Sequence, residues 1–532
     1  MTRHAFRDAA PYPTLDAEQI ARMTAHGETR DVGEGEILFD VGQAAYPLIL
    51  VLQGRVSVVD PERPDRPWVR ARAGQFLGEL GLLTGQTTFA RALADEPSRV
   101  LLLSPDAVRR VVSLEPELSD LIVGAFAARR DLLAETDTPI ARLVADADDA
   151  DAMTLEEFLD RNRQPYRRLT PDEARDEGLA DLCGPDGPHV LVRDRVLTRP
   201  RPTEVARALG LDRTWTGARE AVDLAVIGAG PAGLGAAVYA ASEGLDTAVI
   251  DAVAIGGQAG WSSRIENYFG FPTGISGSEL AFRAEVQAVK FGARVAVPRR
   301  AVRLEPRDGA YAIQFDEGEP LTARAVVLAL GARYRRLGLN EDAKFDGRGV
   351  YYAATEIEAR RCVGRDVLVI GGGNSAGQAA MYLSRHARRV SILCRSESLA
   401  ESMSAYLIDR LESCANVRIR LKSRVASLHG DGGLEAATVE TEGREPAREE
   451  VCAVFVMIGA APRTEWLQGT VELDRAGFVV TGGEGRSPFE TSLPGVFAVG
   501  DVRAGSVKRV ASAVGEGGMV VSAVHARLAA TA

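Results

Sequence analysis

The sequence predicts an α/β chain with two nucleotide-binding βαβ units in tandem, preceded by a β-rich unit with helices and a small α/β module. Three observations carry this reading. Ala225-Val-Ile-Gly-Ala-Gly-Pro-Ala-Gly233 is an apolar strand running into a glycine turn and then a helix-forming stretch. Val369-Ile-Gly-Gly-Gly-Asn-Ser-Ala376 repeats the pattern about 140 residues later. Asp251 closes the strand Thr247-Ala-Val-Ile-Asp251, twenty-one residues past Gly230, where an acid would hold ribose hydroxyls. Glycines in such turns permit the tight bend and let the backbone approach a pyrophosphate, whose charge sits at the helix N-terminus. One glycine turn alone is weak, because many merely join a strand to a helix. Two, with the acid in place, predict tandem Rossmann-like units.

The chain before them divides in two. Residues 15–135 read as short strands punctuated by glycine and followed by helices: apolar alternation from Glu36, then Leu48–Leu52, Gly54–Val58 and Val100–Leu103. Gly74-Gln-Phe-Leu-Gly-Glu-Leu-Gly-Leu82 within this region resembles the phosphate-binding cassette of cyclic-nucleotide-binding domains. The likeness covers about 110 residues. It implies a β-roll in which Gly78 and Glu79 meet the ribose and phosphate. The arginine with which that family neutralises the cyclic phosphate falls on Thr88. Arg91 lies three residues on, but strand alternation argues against it as a replacement. No cyclic nucleotide is expected to bind, and the roll is read as structural or as a sensor of another ligand. Residues 117–135 have helical periodicity. In related domains such a helix mediates dimerisation, which implies a homodimer.

Residues 140–215 read as strand (Ala141–Ala145), helix (Thr154–Asp160, capped by Thr154), strand (Tyr166–Leu169) and helix (Pro171–Ala180). A hairpin (His189–Val192, Arg195–Leu197) and a last helix (Pro202–Leu209) follow. This βαβαββα order, with Pro188 ahead of a strand, resembles a glutaredoxin or thioredoxin fold. The loop matching that fold's active site, Asp146-Ala-Asp-Asp-Ala-Asp151, has no cysteine and reads as a solvated linker, not a metal site. Thr214–Arg219, with Trp215, reads as a connector.

Residues 221–532 add Gly256-Gly-Gln258, Ile265-Glu-Asn-Tyr268, Gly270-Phe-Pro272 and Gly495-Val-Phe-Ala-Val-Gly-Asp501 to the fingerprints. Together they resemble the low-molecular-weight thioredoxin reductases and their flavoprotein relatives. The resemblance implies FAD and NAD(P)H as cofactors and a set of segments: 1–139 roll and helix, 140–215 module, 216–336 first part of an FAD domain, 337–462 inserted NAD(P)H domain, 463–532 second part of the FAD domain. It implies that Gly228, Gly230, Gly233 and Asp251 bind the ADP half of FAD. Gly257, Gln258 and Asn267 would lie near the flavin, Gly500 and Asp501 at the ribityl chain, and Arg509 to Ala511 at the ring edge. Gly371, Gly373, Asn374, Ser375 and Ala376 would take the nicotinamide dinucleotide.

Two departures qualify the resemblance. Thioredoxin reductases carry Cys-Ala-Thr-Cys just before the second fingerprint, and this chain has Ala353-Ala-Thr-Glu356. Its five cysteines, Cys183, Cys362, Cys394, Cys414 and Cys452, include no two close in sequence. No pair is expected to serve as a relay, and Cys362 reads as a buried bystander. Glu356 is a candidate to face the flavin, with a surface role as the alternative. The family's three-arginine run for the 2′-phosphate of NADPH is Cys394-Arg-Ser-Glu-Ser-Leu-Ala400 here, so Arg395 alone survives. No acid ends the strand at Leu393-Cys394, where an NADH-preferring site would place one. NADPH is expected, with NADH as the alternative.

At 532 residues the chain implies three or four domains. A net charge of −11 argues against nucleic acid. The absence of an apolar run of eighteen residues argues against a membrane span, and the start lacks a signal-peptide core. Unpaired cysteines fit a reducing cytoplasm. The expectation is an FAD-dependent NAD(P)H oxidoreductase that passes electrons to an external non-disulfide acceptor. The alternatives are a redox-sensing flavoprotein signalling through the roll, and a disulfide reductase using a partner's thiols.

Overall fold

The computed structural model describes residues 10–531 other than 44, 62, 136–139, 147–148, 185, 212–220, 263–264, 340–341, 346, 353 and 355. The expected connector around Trp215, and Ala353 at the first redox position, lie outside the described residues.

Short apolar strands with glycine turns pair locally, and the N-terminal unit is accordingly all antiparallel. One sheet runs Glu28–Val32, Ser98–Leu103, Leu48–Gln53, Phe76–Leu77; the other runs Ile37–Phe39, Arg91–Ala94, Arg55–Val59, Val69–Arg72. Leu48, Leu50, Val56, Val100 and Leu101 are buried in the unit's core. Helix Pro105–Leu114 starts at Ser104, whose hydroxyl accepts from Ala107 N–H. Helix Pro116–Glu135 buries Leu118, Ile122, Ala125 and Phe126 against the roll.

In the second unit the strand order is Tyr166–Leu169, Ala141–Val144, His189–Val192, Arg195–Thr198. The first pair is parallel and the others antiparallel. The βαβαββα order matches the expectation, with one correction. The crossover helix is Ala150–Arg161, capped by Asp149, whose carboxylate accepts from Ala152 N–H at 2.8 Å. Thr154 lies inside it and turns its hydroxyl to Ala150 O. Part of the acidic stretch is therefore helix start, where carboxylates are favoured, and not linker.

The fourth sheet orders Arg294–Ala296, Thr247–Ile250, Val222–Ile227 and Leu321–Leu328 in parallel, extended by antiparallel Ala310–Phe315 and Ala301–Arg307. Its central strands are apolar and buried over Leu224–Ile227 and Ala325–Leu328, where both faces are covered. Val496–Ala498 pairs with Leu321–Leu328, so the chain returns to this sheet after a long excursion. The excursion is a five-stranded parallel sheet: Val350–Tyr351, Ala453–Val456, Asp366–Ile370, Arg389–Leu393, Val417–Arg420. Both crossings run side by side as an antiparallel pair, Ala332–Tyr334 with Ala460–Pro462.

Candidate functional site

The first fingerprint turn leaves the C-terminal end of Val222–Ile227. Gly228 has φ +109°, and a Cβ there would lie 2.3 Å from Ala329 O, so only glycine fits. A Cβ at Gly233 would meet Gly228 O at 1.8 Å; glycine lets the helix sit directly on the turn. Gly230 differs: the nearest atom to its Cβ position is Gly257 Cα at 3.8 Å. Asp251 stitches this cradle, accepting from Ala229 N–H at 2.9 Å with one oxygen and from Val253 and Ala254 N–H with the other. The oxygen bonded to Ala229 keeps a lone pair that a ribose hydroxyl could use.

Gly230 caps helix Pro231–Ser242, and no side chain bonds the amides of its first turn. Asp16, Ser104, Asp149, Thr170 and Ser276 all cap their own helices. Here the positive helix end and its free N–H groups are left for an anion. The second fingerprint repeats the device. Gly371, at φ +141°, would put a Cβ 2.3 Å from Met457 O. Gly373 opens helix Asn374–Leu383 without a side-chain cap, and its nearest obstacle is Ser402 O at 3.7 Å. Both cradles thus have the room and the donors that a dinucleotide pyrophosphate requires.

Asn374 is committed elsewhere. Its Oδ1 accepts from Ser404 N–H at 2.8 Å and from the Ser404 hydroxyl at 2.7 Å, bracing helix Ala405–Glu412. Ser375 is exposed and Ala376 buried. Arg395 is exposed just past Leu393, and no ion pair holds it among the described residues.

The C-terminal segment joins the first cradle. A Cβ at Gly500 would lie 2.7 Å from Ala232 Cβ. The C-terminal helix Val510–Ala530 packs so closely on Pro231–Ser242 that a Cβ at Gly517 would meet Ala232 O at 2.2 Å. Glu516, which sequence reasoning missed, accepts from Gly500 N–H at 2.7 Å and pairs with Arg503 at 2.5 Å. A lone acid within an apolar helix was the signal for it. Asp501 is half-buried, and burial raises its carboxyl above the usual range against the pull of Lys508. Gly228, Gly230, Gly233, Asp251, Gly257 and Gly500 are therefore brought together. Asn267, Arg509 and Ala511 are exposed.

Glu356 begins helix Glu356–Arg361, is largely exposed and pairs with Arg360 at 2.7 Å. Of its two expected alternatives, the surface one matches this placement. Cys362 is buried as expected, and Cys452 packs against the same apolar cluster. Parallel strand pairing sets Cys452 beside Asp366, four residues past Cys362, so two cysteines ninety residues apart in sequence enter one cluster.

Residues 222–517 match the family model of the pyridine nucleotide-disulphide oxidoreductases. The chain belongs to that family. It is 36 % identical to thioredoxin reductase of Treponema pallidum over 307 residues, covering 57 % of this chain and 95 % of that protein. It is 33 % identical to an NADH dehydrogenase of Bacillus subtilis over 309 residues, covering 58 % of this chain and 59 % of that protein. The thioredoxin reductase of Lactococcus lactis superposes with TM-score 0.55 at 26 % identity, covering 58 % of this chain and 99 % of that one. FAD and NAD(P)H are the cofactors of such an oxidoreductase. Residues 29–114 match the cyclic nucleotide-binding domain.

In this oxidoreductase the roll has an aromatic-lined pocket with Phe39, Tyr46, Trp68 and Phe89 among its walls. The groups expected to meet a ribose and phosphate are engaged by the chain itself. Glu79 accepts from its own Gly81 N–H at 2.9 Å, from Tyr46 OH at 3.2 Å and from Arg130 at 3.0 Å. Gly78 O accepts from Arg129, a buried guanidinium that also donates to Phe76 O and stacks within 5 Å of the Tyr12 and Phe76 rings. Burial lowers the Arg129 pKa to about 10. Thr88 lines the pocket, whereas Arg91 pairs with Asp40 at 2.8 Å.

The small module touches both nucleotide-binding units. Arg161 donates to Ala254 O at 3.4 Å and Gly257 O at 3.2 Å, and Asn162 to Val253 O at 3.3 Å. Glu156, on the same helix, pairs with Arg361 of the nicotinamide unit at 3.8 Å. Arg130 of the roll shares a cleft with Arg161 and Arg163.

Proposed function

We propose that the chain takes hydride from NADPH onto FAD and passes the electrons to an external acceptor other than a protein disulfide, such as a quinone, a small organic oxidant or dioxygen. The observation that carries this is the pairing of two intact, uncapped glycine cradles with Ala353-Ala-Thr-Glu356 where relatives have a dithiol. Bound in these cradles, the nicotinamide supplies hydride and the flavin accepts it. The chain's own part is positional. Gly230 and Gly373 admit the two pyrophosphates to helix ends, and Asp251 holds the first turn rigid while offering the remaining lone pair of one oxygen to the ribose. Asp501, fixed against the first helix through Gly500, would meet the ribityl chain. Gln258, Asn267, Arg509 and Ala511 are assigned to the flavin surroundings, and Arg395 to the 2′-phosphate. Holding two rings in contact distance is worth more here than any acid or base.

The segment boundaries, the glutaredoxin-like class of the 140–215 module, the homodimer and a cytoplasmic location belong to the same proposal. Among the described residues no helix is long and apolar enough to cross a membrane. A second reading, a flavoprotein whose redox state is coupled to the roll, is favoured by the small module, whose Arg161 and Asn162 bond the loop beside the first cradle while Arg161 shares a cleft with Arg130 of the roll. Anaerobic stopped-flow mixing with NADPH tests the proposal. Flavin bleaching followed by fast reoxidation with a quinone supports the enzyme. Bleaching with no reoxidation by quinone, oxygen or small oxidants supports the sensor.

A further inference from the structure

Cys362 and Cys452 stand at the N-terminal edge of the nicotinamide sheet. Strands Asp366–Ile370 and Ala453–Val456 are parallel with Val367 opposite Ala453, so Cys452 falls beside Asp366. Its N–H donates to Asp366 O at 3.0 Å, and its thiol lies 3.5 Å from the same oxygen. Cys362 follows helix Glu356–Arg361 and opens the turn into the first strand, its carbonyl accepting from Arg365 N–H at 3.1 Å. Both sulfurs belong to one packed cluster, Cys362 fully buried and Cys452 part-exposed.

Their surroundings sort the two thiols. The Cys362 thiol, and then Arg365, hold Cys452 below the ordinary thiol range, although burial opposes them. Cys452 and burial together push Cys362 up. A part-exposed thiol that gives up its proton more readily, beside a buried thiol that holds its own, is the arrangement in which one sulfur attacks and the other resolves. The fingerprint turn is at the opposite end of Asp366–Ile370, roughly 17 Å away at 3.3 Å per residue. The pair therefore stands apart from the nucleotide turn.

We propose that Cys362 and Cys452 form a reversible disulfide on exposure to a hydroperoxide. The Cys452 thiolate attacks the O–O bond, taking one oxygen to become a sulfenic acid while the other leaves, with one proton, as an alcohol or water. The Cys362 thiol then attacks the sulfenic sulfur, forming the S–S bond and releasing water. Two thiols lose two electrons and the peroxide gains two. An external dithiol reverses the change by exchange. The bond ties the end of helix Glu356–Arg361 to the base of strand Ala453–Val456. That helix directly follows Ala353–Glu356, the place of the family dithiol.

The test is peptide mapping of the whole reduced protein after treatment with a few equivalents of hydrogen peroxide, with free thiols alkylated and no reductant added. The expected result is one linked peptide pair joining Cys362 to Cys452, two of the five thiols lost, and full recovery with dithiothreitol. Cys183 and Cys414, also part-exposed, serve as internal controls and should stay reduced. In Cys362→Ser the sulfenic acid on Cys452 should persist and be captured by dimedone. Cross-links between other cysteines, or a Cys452 no more reactive than Cys414, would overturn the proposal. Mapping of the unmutated protein decides the matter even if a variant fails to fold. None of these readouts depends on flavin reduction.

Discussion

Gly230→Val separates cofactor binding from folding. The position has ordinary backbone geometry, φ −74°, and the nearest atom to a new Cβ is Gly257 Cα at 3.8 Å. A valine there costs the apo fold little, because its methyl groups project into the space above the helix end. That space is where a pyrophosphate must approach the uncapped amides. Blocking two charge-assisted bonds at roughly 1.5–3 kcal/mol each removes about 3–6 kcal/mol, on the order of 10²- to 10⁴-fold in FAD affinity. Gly228→Ala is the contrasting control: its Cβ would sit 2.3 Å from Ala329 O at a φ of +109°, so it should damage the fold itself. The assay is the flavin-to-protein absorbance ratio after gel filtration, alongside thermal melting monitored by circular dichroism. Gly230→Val should be colourless with a melting point near that of flavin-stripped wild type. A Gly230→Val protein that keeps full flavin would refute the placement of FAD at this turn.

Arg395→Ala should weaken NADPH about 10-fold or more by removing one charge-assisted phosphate contact, and leave NADH nearly unchanged. Stopped-flow reduction with both nucleotides reads it, and equal losses would show that Arg395 does not read the phosphate. Cyclic AMP and cyclic GMP should show no binding tighter than micromolar by calorimetry, because Arg130, Tyr46 and Gly81 already engage Glu79; a tighter constant would refute this reading of the pocket. Glu157, raised by burial to about 7 from 4.5, binds a proton in the folded state that the unfolded chain releases between those values. Stability should therefore fall as pH rises through that window and level off above it. Glu157→Gln should flatten the melting temperature between about pH 5 and 8, and an unchanged slope would assign the dependence to other groups.

Both nucleotide cradles were legible because a glycine turn is a local device, written in a few consecutive residues. The return of Val496–Ala498 to the sheet that carries the first cradle was expected only through the family resemblance that Gly495–Asp501 helps to carry. What escaped is non-local. Glu79 is visible as a residue type, but nothing near it announces that Arg130, on a helix fifty-one residues later, takes its carboxylate. Cys452 comes near Cys362 only because parallel pairing sets it beside Asp366, just past the turn that Cys362 opens, so sequence spacing hid the two. The misplaced start of helix Ala150–Arg161 has a different cause. Asp149 and Thr154 are both capping residue types, and the acidic run around Asp149 read as linker, although carboxylates are favoured at a helix start.

Replacing all five cysteines with serine tests the central claim most directly, with turnover of NADPH and a quinone followed anaerobically. Hydride transfer between two bound rings needs no sulfur, so the account predicts that flavin content is retained and the rate stays within about twofold of wild type. A loss of more than about tenfold, some 1.4 kcal/mol of barrier, in a variant that keeps its flavin and its melting point would contradict it and place a thiol in the electron path.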